Sequence, residues 1–318
     1  MNIAITGGGG FLGRRLARVL LADRRVERLV LADVAPAGSP GLDPHLKLLT
    51  ADLAEAGAAE AVAEGADIIF HLAAVLSAQA EADFDLGMGV NVDATRRLLE
   101  AARSGGRRPR FVFASSLAVF GPPLPPVVTD ETALWPQSSY GAGKAVAELL
   151  VAEYGRKGFV DGRVLRLPTV CVRPGRPNAA ASSFVSSIIR EPLHGERAVC
   201  PAGPELELWV SSPRAAVLNL AHGAFVPAEA LGTRRAVNLP GITVTVAEIM
   251  ASLARVAGPE AAARIEFRDD PVARRIVSSW PARFDVGRAL GLGFVRDAGF
   301  EALIREFLAD EAAERGLR

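Results

Sequence analysis

Short, mostly apolar runs alternate with longer amphipathic stretches through the first half of the chain. The runs at Asn2–Thr6, Arg28–Asp33, Leu46–Thr50, Asp67–Leu72, Arg110–Ala114 and Arg163–Leu167 predict six strands. Helices are predicted between them. Phe11–Ala22 places Leu12, Leu16, Val19 and Leu20 on one face, and Ala54–Glu64 is rich in alanine. A single long helix is predicted from Phe84 to about Arg103, and another from Ser139 to about Lys157 with Val146, Leu149 and Leu150 on its apolar side. Six strands in βαβ alternation predict an α/β fold: a doubly wound parallel sheet with helices on both faces.

After Leu167 the pattern changes. Pro, Gly and Ser punctuate Pro168–Pro213, where only short, irregular elements are expected. Helical periodicity returns at Val246–Val256, Arg283–Leu290 and Phe300–Glu314, with β-like runs at Ala236–Leu239 and Ile265–Phe267. This predicts a sheet domain over residues 1–172, with returning segments at about 205–240. Residues 173–318 are expected to supply a smaller, interleaved C-terminal subdomain on the substrate side.

Half of the 318 residues are hydrophobic, enough for a sizeable core. Acidic and basic residues number 36 each, so no charge excess favours nucleic acid or an anionic membrane. Cys171 and Cys200 are read as buried thiols, with no metal-ligand cluster around either. No basic start followed by a long apolar stretch is present, and the expectation is a soluble, cytoplasmic protein.

The chemistry begins at Thr6-Gly7-Gly8-Gly9-Gly10-Phe11-Leu12-Gly13, which follows the first strand and opens the first helix. In that context Gly7 permits a tight turn, Gly10 lets backbone approach a pyrophosphate, and Gly13 lets helix and strand pack closely. Free amides at the helix N-terminus then face the phosphates. The sheet is therefore of Rossmann type and the expected cofactor is NAD. Asp33 ends the second strand, where a carboxylate can bind both adenosine ribose hydroxyls and repel a 2′-phosphate. Asp52 follows the third strand and is read either as an adenine neighbour or as a helix cap.

Tyr140 and Lys144 lie four apart in a helix, hence on one face. A nearby ammonium favours a phenolate, which can take the proton of a substrate hydroxyl while hydride leaves the same carbon. Ser115 and Ser116 end the fifth strand, where ligands collect in such sheets, and a serine there can orient the substrate oxygen. Asn91 lies inside the long predicted helix and is read as a tolerated polar residue or as the holder of a proton-relay water.

These pieces together resemble the extended short-chain dehydrogenase/reductase family, which includes sugar-nucleotide epimerases and dehydratases. The matching segments are Thr6-Gly-Gly-Gly-Gly-Phe-Leu-Gly13, His71-Leu72-Ala73-Ala74, Asn91-Val92, Ser115-Ser116-Leu-Ala-Val-Phe-Gly121, Tyr140-Gly-Ala-Gly-Lys144 and Arg166-Leu-Pro-Thr-Val-Cys-Val-Arg-Pro-Gly175. They occur in the family's order over residues 1 to about 175. The resemblance implies Ser116, Tyr140 and Lys144 as the catalytic serine, base and activator, with Asn91 as relay. It implies NAD contacts from Phe11, Leu12, Leu53, Leu72, Ala73 and Ala74. Asn91, Tyr140, Lys144, Leu167 and Thr169 would complete the cofactor set. It also implies a homodimer through the helices carrying Asn91 and Tyr140.

For the substrate, sugar-nucleotide members carry a late aromatic-Val-x-Asp-Val motif, whereas this chain reads Trp209-Val210-Ser211-Ser212-Pro213-Arg214. Arg173, Arg176 and Arg214 are expected to face the site's mouth, where a guanidinium could anchor a carboxylate. Ser77 is a candidate contact to a substrate hydroxyl. The run from Leu167 to Ser187 with Trp209–Ala215 resembles the D-erythronate dehydrogenase subgroup, implying NAD-dependent oxidation of a small sugar acid at C2. The competing readings are a sugar-nucleotide 4-epimerase with bound NAD, and a non-catalytic NAD-binding regulator. The second is disfavoured by the presence of Ser116, Tyr140, Lys144 and Asn91 together.

Overall fold

The computed structural model describes residues 1–35, 43–175, 180–314 and 316. Its strands are β1 (Asn2–Thr6), β2 (Arg28–Asp33), β3 (Leu46–Thr50), β4 (Ile68–His71), β5 (Arg110–Ser116) and β6 (Asp161–Leu167). They are followed by β7 (Thr169–Val170), β8 (Ala198–Cys200), β9 (Glu207–Ser211), β10 (Ala236–Asn238), β11 (Ile242–Thr245) and β12 (Ile265–Phe267). The first eight helices are α1 (Phe11–Leu21), α2 (Ala58–Ala63), α3 (Ser77–Ala82), α4 (Phe84–Met88), α5 (Ala94–Ser104), α6 (Ser139–Arg156), α7 (Ser183–Leu193) and α8 (Pro213–Gly223). Seven strands form one parallel sheet in the order β10-β6-β5-β4-β1-β2-β3. The doubly wound α/β fold expected of the sequence is thus present, with β10 as a seventh strand at the edge.

Strand pleating sorts the core into two layers. Ile3, Ile5, Leu29, Leu31 and Phe70 face Leu16 and Leu20 of α1 and Val217 and Leu220 of α8. Ala4, Val30, Ile69, Phe111 and Phe113 face Leu98 and Leu99 of α5 and Ala147 and Val151 of α6. The winding direction reverses between β1 and β4, so the loops after these neighbours diverge and leave a crevice at the carboxyl ends. A third core joins α7, β8, β9 and β11 to the helices Val246–Ala257 and Phe300–Glu314. It stands beside that crevice, with small sheets ordered β11-β9-β7 and β12-β8.

Several local expectations are corrected. The long helix over 84–103 is broken into α4, a π-helical turn at Gly89–Asp93, and α5. α6 buries Ala147, Glu148 and Val151, and turns Val146 and Leu149 outward. The stretch expected to be irregular contains α7, whose Phe184, Val185, Ile188 and Ile189 are buried at helical spacing. It ends in α8, capped by the Ser212 hydroxyl on the Ala215 N–H at 3.0 Å with Pro213 in the first turn. The helix expected at Arg283–Leu290 begins only at Gly287, because Phe284 pairs with Val128 as a β-bridge. Both cysteines are buried free thiols. Among the described residues, no helix is long and apolar enough to cross a membrane.

The glycine turn shows why this geometry is sequence-specific. Gly7 has a φ of +66°, and a Cβ on Gly13 would overlap the Gly7 carbonyl and come within 2.8 Å of the Gly8 Cα. Gly13→Ala is therefore expected to cost about 1–3 kcal/mol of stability, as overpacking of a fixed backbone contact does. Urea unfolding would measure the loss, and an unchanged midpoint would show that α1 can shift away from the turn.

Candidate active site

The crevice is a cleft of about 930 Å³ at the carboxyl ends of β1, β2, β4 and β5, within the usual size range for ligand pockets. Its floor is the glycine turn. Gly10 caps α1 without a side chain, which leaves the first-turn amides of Phe11, Leu12 and Gly13 to meet an anion. Asp33 reaches back from the end of β2 and accepts the Gly9 N–H at 2.9 Å, so the acid and the turn form one unit. Arg15 pairs with Asp310 at 2.7 Å and stacks on Phe11. Gly7, Gly10, Asp52, Leu53, Leu72, Ala73, Ala74, Leu167 and Thr169 all line the cleft, as expected of a dinucleotide site. Asp52 accepts the Ala54 N–H at 2.8 Å in a local turn, but it caps no helix, because α2 begins only at Ala58 with Gly57 before it. The uncapped amides, the Asp33 carboxylate and the volume of the cleft fit NAD.

Behind the floor, a buried polar chain fixes the loop after β4. Ala73 N–H donates to Thr6 Oγ1 at 3.3 Å, and Thr6 Oγ1 lies 2.6 Å from His71 Nδ1. His71 Nε2 lies 2.8 Å from Thr95 Oγ1, which donates to the Asn91 carbonyl at 2.9 Å. The direction of the last bond sets the rest. Thr95 must accept from Nε2–H, so the Thr6 hydroxyl donates to Nδ1. Burial, and secondarily the charge of Lys144, hold the imidazole neutral, its pKa lowered to about 3.

Asn91 sits beside the cleft, in its wall. Its amide accepts from the Val75 N–H at 2.9 Å and donates to the Val75 carbonyl at 3.1 Å. The side chain is buried and does not line the cleft, although its neighbours Val90 and Ala94 do. Asn91 pins the cleft wall at Val75, with its side-chain oxygen and nitrogen both engaged by that residue's backbone.

Tyr140, Lys144 and Ser116 converge on the cleft from α6 and the end of β5. Ser138 caps α6 by accepting the Gly141 N–H at 3.2 Å. Glycines within a helix weaken it, but here each serves an approach. A Cβ on Gly141 would overlap the Ala118 carbonyl, and one on Gly143 would sit 3.0 Å from the Asn91 Cβ. Lys144 Nζ donates to the Ala114 carbonyl at 2.8 Å and lies 5.8 Å from the Tyr140 ring centre. Burial lowers the lysine's pKa to about 7, with Glu148 pulling it back up. Burial also raises the Tyr140 pKa, against the Ser116 hydroxyl and the charge of Arg173.

The predicted substrate residues separate. Arg173 lines the cleft, its guanidinium 5.4 Å from the Phe11 ring centre. Its Nε is buried and finds no hydrogen-bond partner among the described residues. Ser77 also lines the cleft, and its hydroxyl accepts the Ala181 N–H at 2.8 Å, stitching α3 to the segment before α7. Arg176 lies outside the described residues. Arg214 is corrected: it is exposed on α8 and does not line the cleft, because capping at Ser212 and the Glu306 carboxylate on its own N–H turn it to the far side. Trp209 is likewise core, stacked on Phe284 at 5.0 Å. Missing from the sequence reading are Ser186 and Arg190 of α7, and Trp280, all of which line the cleft. Ser186 Oγ accepts the Arg173 N–H at 3.0 Å, and Arg190 donates to the Arg173 carbonyl at 2.7 Å. The 3.6-residue spacing of apolar residues in α7 was the available signal for the pair; Trp280 had none.

Residues 3–211 match the NAD dependent epimerase/dehydratase family. A protein of Cupriavidus necator named D-erythronate dehydrogenase is 53% identical over 98% of both chains. One of the same name from Haemophilus influenzae is 49% identical over 97% of this chain and 99% of its own. A crystal structure named as the nucleoside-diphosphate-sugar epimerase of Agrobacterium tumefaciens superposes with a TM-score of 0.92 at 43% identity, covering 98% of this chain and 95% of that one.

Two outcomes are expected from this geometry. Between the ordinary imidazole pKa of ~6.5 and its value of about 3 in the fold, the unfolded chain binds a proton that folded His71 does not. Stability from this residue is therefore full at neutral pH and is lost as pH falls, by up to ~1.4 kcal/mol per pH unit. Urea titrations should find His71→Gln less stable at neutral pH but with a flatter decline below about pH 6; a parallel decline would remove His71 from the acid response. Separately, Asp33→Asn is expected to raise KM for NAD about tenfold, the worth of one charged hydrogen bond, and to admit NADP. Unchanged discrimination would place the ribose elsewhere.

Proposed function

The chain belongs to the NAD-dependent epimerase/dehydratase family and uses NAD, and on that premise we propose that it oxidises the C2 hydroxyl of a small sugar acid, D-erythronate to 2-dehydro-D-erythronate. The observation that carries the substrate class is Arg173. Its buried, unpartnered Nε lies in the same cleft as Ser116 and Tyr140, and it is the charge acting on the phenol. A carboxylate is the ligand that satisfies such a guanidinium.

In this reading Arg173 holds the carboxylate and Ser77 offers its hydroxyl to the polyol end. The C2 hydroxyl lies between Ser116 and Tyr140, and the Tyr140 phenolate takes its proton. NAD, when bound, supplies the acceptor for the hydride that leaves C2. The glycine turn and Asp33 hold the adenosine and pyrophosphate end, and Lys144 holds the ribose nearest the reacting carbon. Fixing both partners at close approach accounts for much of the acceleration. Residues 1–172, with α8 and β10 returning to them, form the cofactor side; α7 and the third core form the acid side. The second subunit of a homodimer would cover the outer face of α4 and α6, where Phe84 is 61% and Leu149 67% exposed.

A sugar-nucleotide epimerase is the second reading, favoured by the name of the Agrobacterium tumefaciens structure. It would use the same Tyr140 but need room for a nucleotide and diphosphate where Arg173 and α7 line the cleft.

The test is NADH formation from NAD with a panel of four- to six-carbon sugar acids, and UDP-sugars assayed for epimerised product. D-Erythronate turnover is expected, with kcat rising with pH on its acid limb as buried Tyr140 ionises. Tyr140→Phe should lower kcat by about a hundredfold to ten-thousandfold. Arg173→Met should raise KM for the acid by about tenfold to a hundredfold. Silence on every acid together with conversion of a UDP-sugar would overturn the proposal.

A further inference from the structure

Glu148 stands one helical turn beyond Lys144 on α6 and is as buried as the core around it. A carboxylate stripped of water survives there only if other groups replace its hydration. Three do so. Arg166 of β6 donates to it from Nε at 3.0 and 3.1 Å and from Nη2 at 2.8 Å. Ser115 of β5 donates its hydroxyl at 2.5 Å. Arg166 is itself seated, its Nη1 donating to Asn238 Oδ1 at 3.3 Å and to the Asp130 carbonyl at 3.4 Å.

A buried ion pair between a helix and a strand is not by itself a catalytic device. Its placement is what assigns a role. Three successive residues at the end of β5 are each committed: Ala114 gives its carbonyl to Lys144, Ser115 gives its hydroxyl to Glu148, and Ser116 faces the cleft beside Tyr140. Neutral residues of similar size could have packed this position without cost. A carboxylate four residues from a buried ammonium does something they could not.

We propose that Glu148, seated on Arg166 and Ser115, is a positioning residue for the reaction: it sets a carboxylate one helical turn from the buried Lys144 ammonium and holds the end of β5 against α6 so that Ser116 and Tyr140 share one substrate oxygen. The inference rests on the reading of Tyr140 and Lys144 given above. The charged and titratable groups around Lys144 are Tyr140 and Glu148 on α6, neutral His71 on β4, Arg166 on β6 behind the carboxylate, and Arg173 across the cleft. Of these, Glu148 is the group whose charge raises the lysine's pKa against burial, which otherwise holds it at about 7. Without Glu148 the ammonium would shed its proton at lower pH, and the charge-assisted bond that it gives the Ala114 carbonyl, which ties α6 to the end of β5, would weaken as pH rises.

The chain has three lysines, and Lys47 and Lys157 are both exposed, so carbon-13 lysine labelling resolves Lys144 directly in the nucleotide-free protein. Glu148→Gln is expected to lower the Lys144 titration midpoint by at least about one pH unit, a tenfold change in its ionisation constant. In turnover, the ratio of variant to parent kcat should fall as pH rises from mildly acidic to mildly alkaline, with KM for the acid little changed. Glu148→Asp should restore part of both. If Glu148→Gln fails to fold because Arg166 is left unpaired, the double variant E148Q/R166Q keeps a neutral hydrogen-bonded pair and should show a lowered midpoint, by less than the single variant because the more distant Arg166 charge is lost with it. An unmoved Lys144 midpoint, or a kcat loss by one constant factor at every pH, would overturn the proposal. The titration uses no substrate, so its outcome is independent of whether D-erythronate is the acid oxidised.

Discussion

An ammonium group with almost no water around it must be solvated by protein, and the arrangement that does this for Lys144 governs the centre of the structure. The Ala114 carbonyl takes one of its protons, the face of Phe113 lies 4.6 Å away, and Glu148 supplies the opposite charge one turn along the helix. None of this is possible unless α6 lies almost against the end of β5. Gly141 and Gly143 permit that approach by presenting no Cβ to Ala118 and Asn91. The cost of two glycines inside a helix is offset by the burial of Ala147 and Val151 against the sheet. Once the helix is seated, Tyr140 has nowhere to point but into the cleft where Ser116 ends its strand.

The chain of hydrogen bonds through His71 does for the cofactor side what Glu148 does for the catalytic side. Thr6 ends the strand that carries the glycine turn, and His71 ends the neighbouring strand across the reversal point of the sheet. Every donor and acceptor in that chain is used when the imidazole is neutral, and Lys144 nearby disfavours a second positive charge. The chain continues through Thr95 to Asn91, whose amide then holds Val75 in the cleft wall. The π-helical turn at Gly89–Asp93 is the local distortion that brings Asn91 to this position.

The acid side is built differently. Arg173 is placed by backbone contacts to Ser186 and Arg190 of α7, and its guanidinium lies over Phe11, the first residue after the glycine turn. The group that would read the substrate therefore rests on the element that holds the cofactor. Ser77 adds a second stitch between the two sides through Ala181.

Local sequence determined the sheet, the glycine turn, the acid that ends β2 and the Tyr140–Lys144 pair, because each rests on near-neighbour rules. Strand and helix periodicity, a turn that only glycine permits, and two side chains one helical turn apart are all visible within a dozen residues. The tertiary structure alone decided that Arg173 faces the cleft and Arg214 does not. Arg173 and Arg214 look alike in sequence, and the difference is that one is held by α7 over the glycine turn while the other follows a capped helix start to the surface. It also decided that Asn91 spends its amide on Val75, and that Glu148 reaches Ser115 and Arg166, residues 33 and 18 positions away. Buried polar groups choose partners by what is near them in space once water is excluded, and sequence spacing carries no record of that choice.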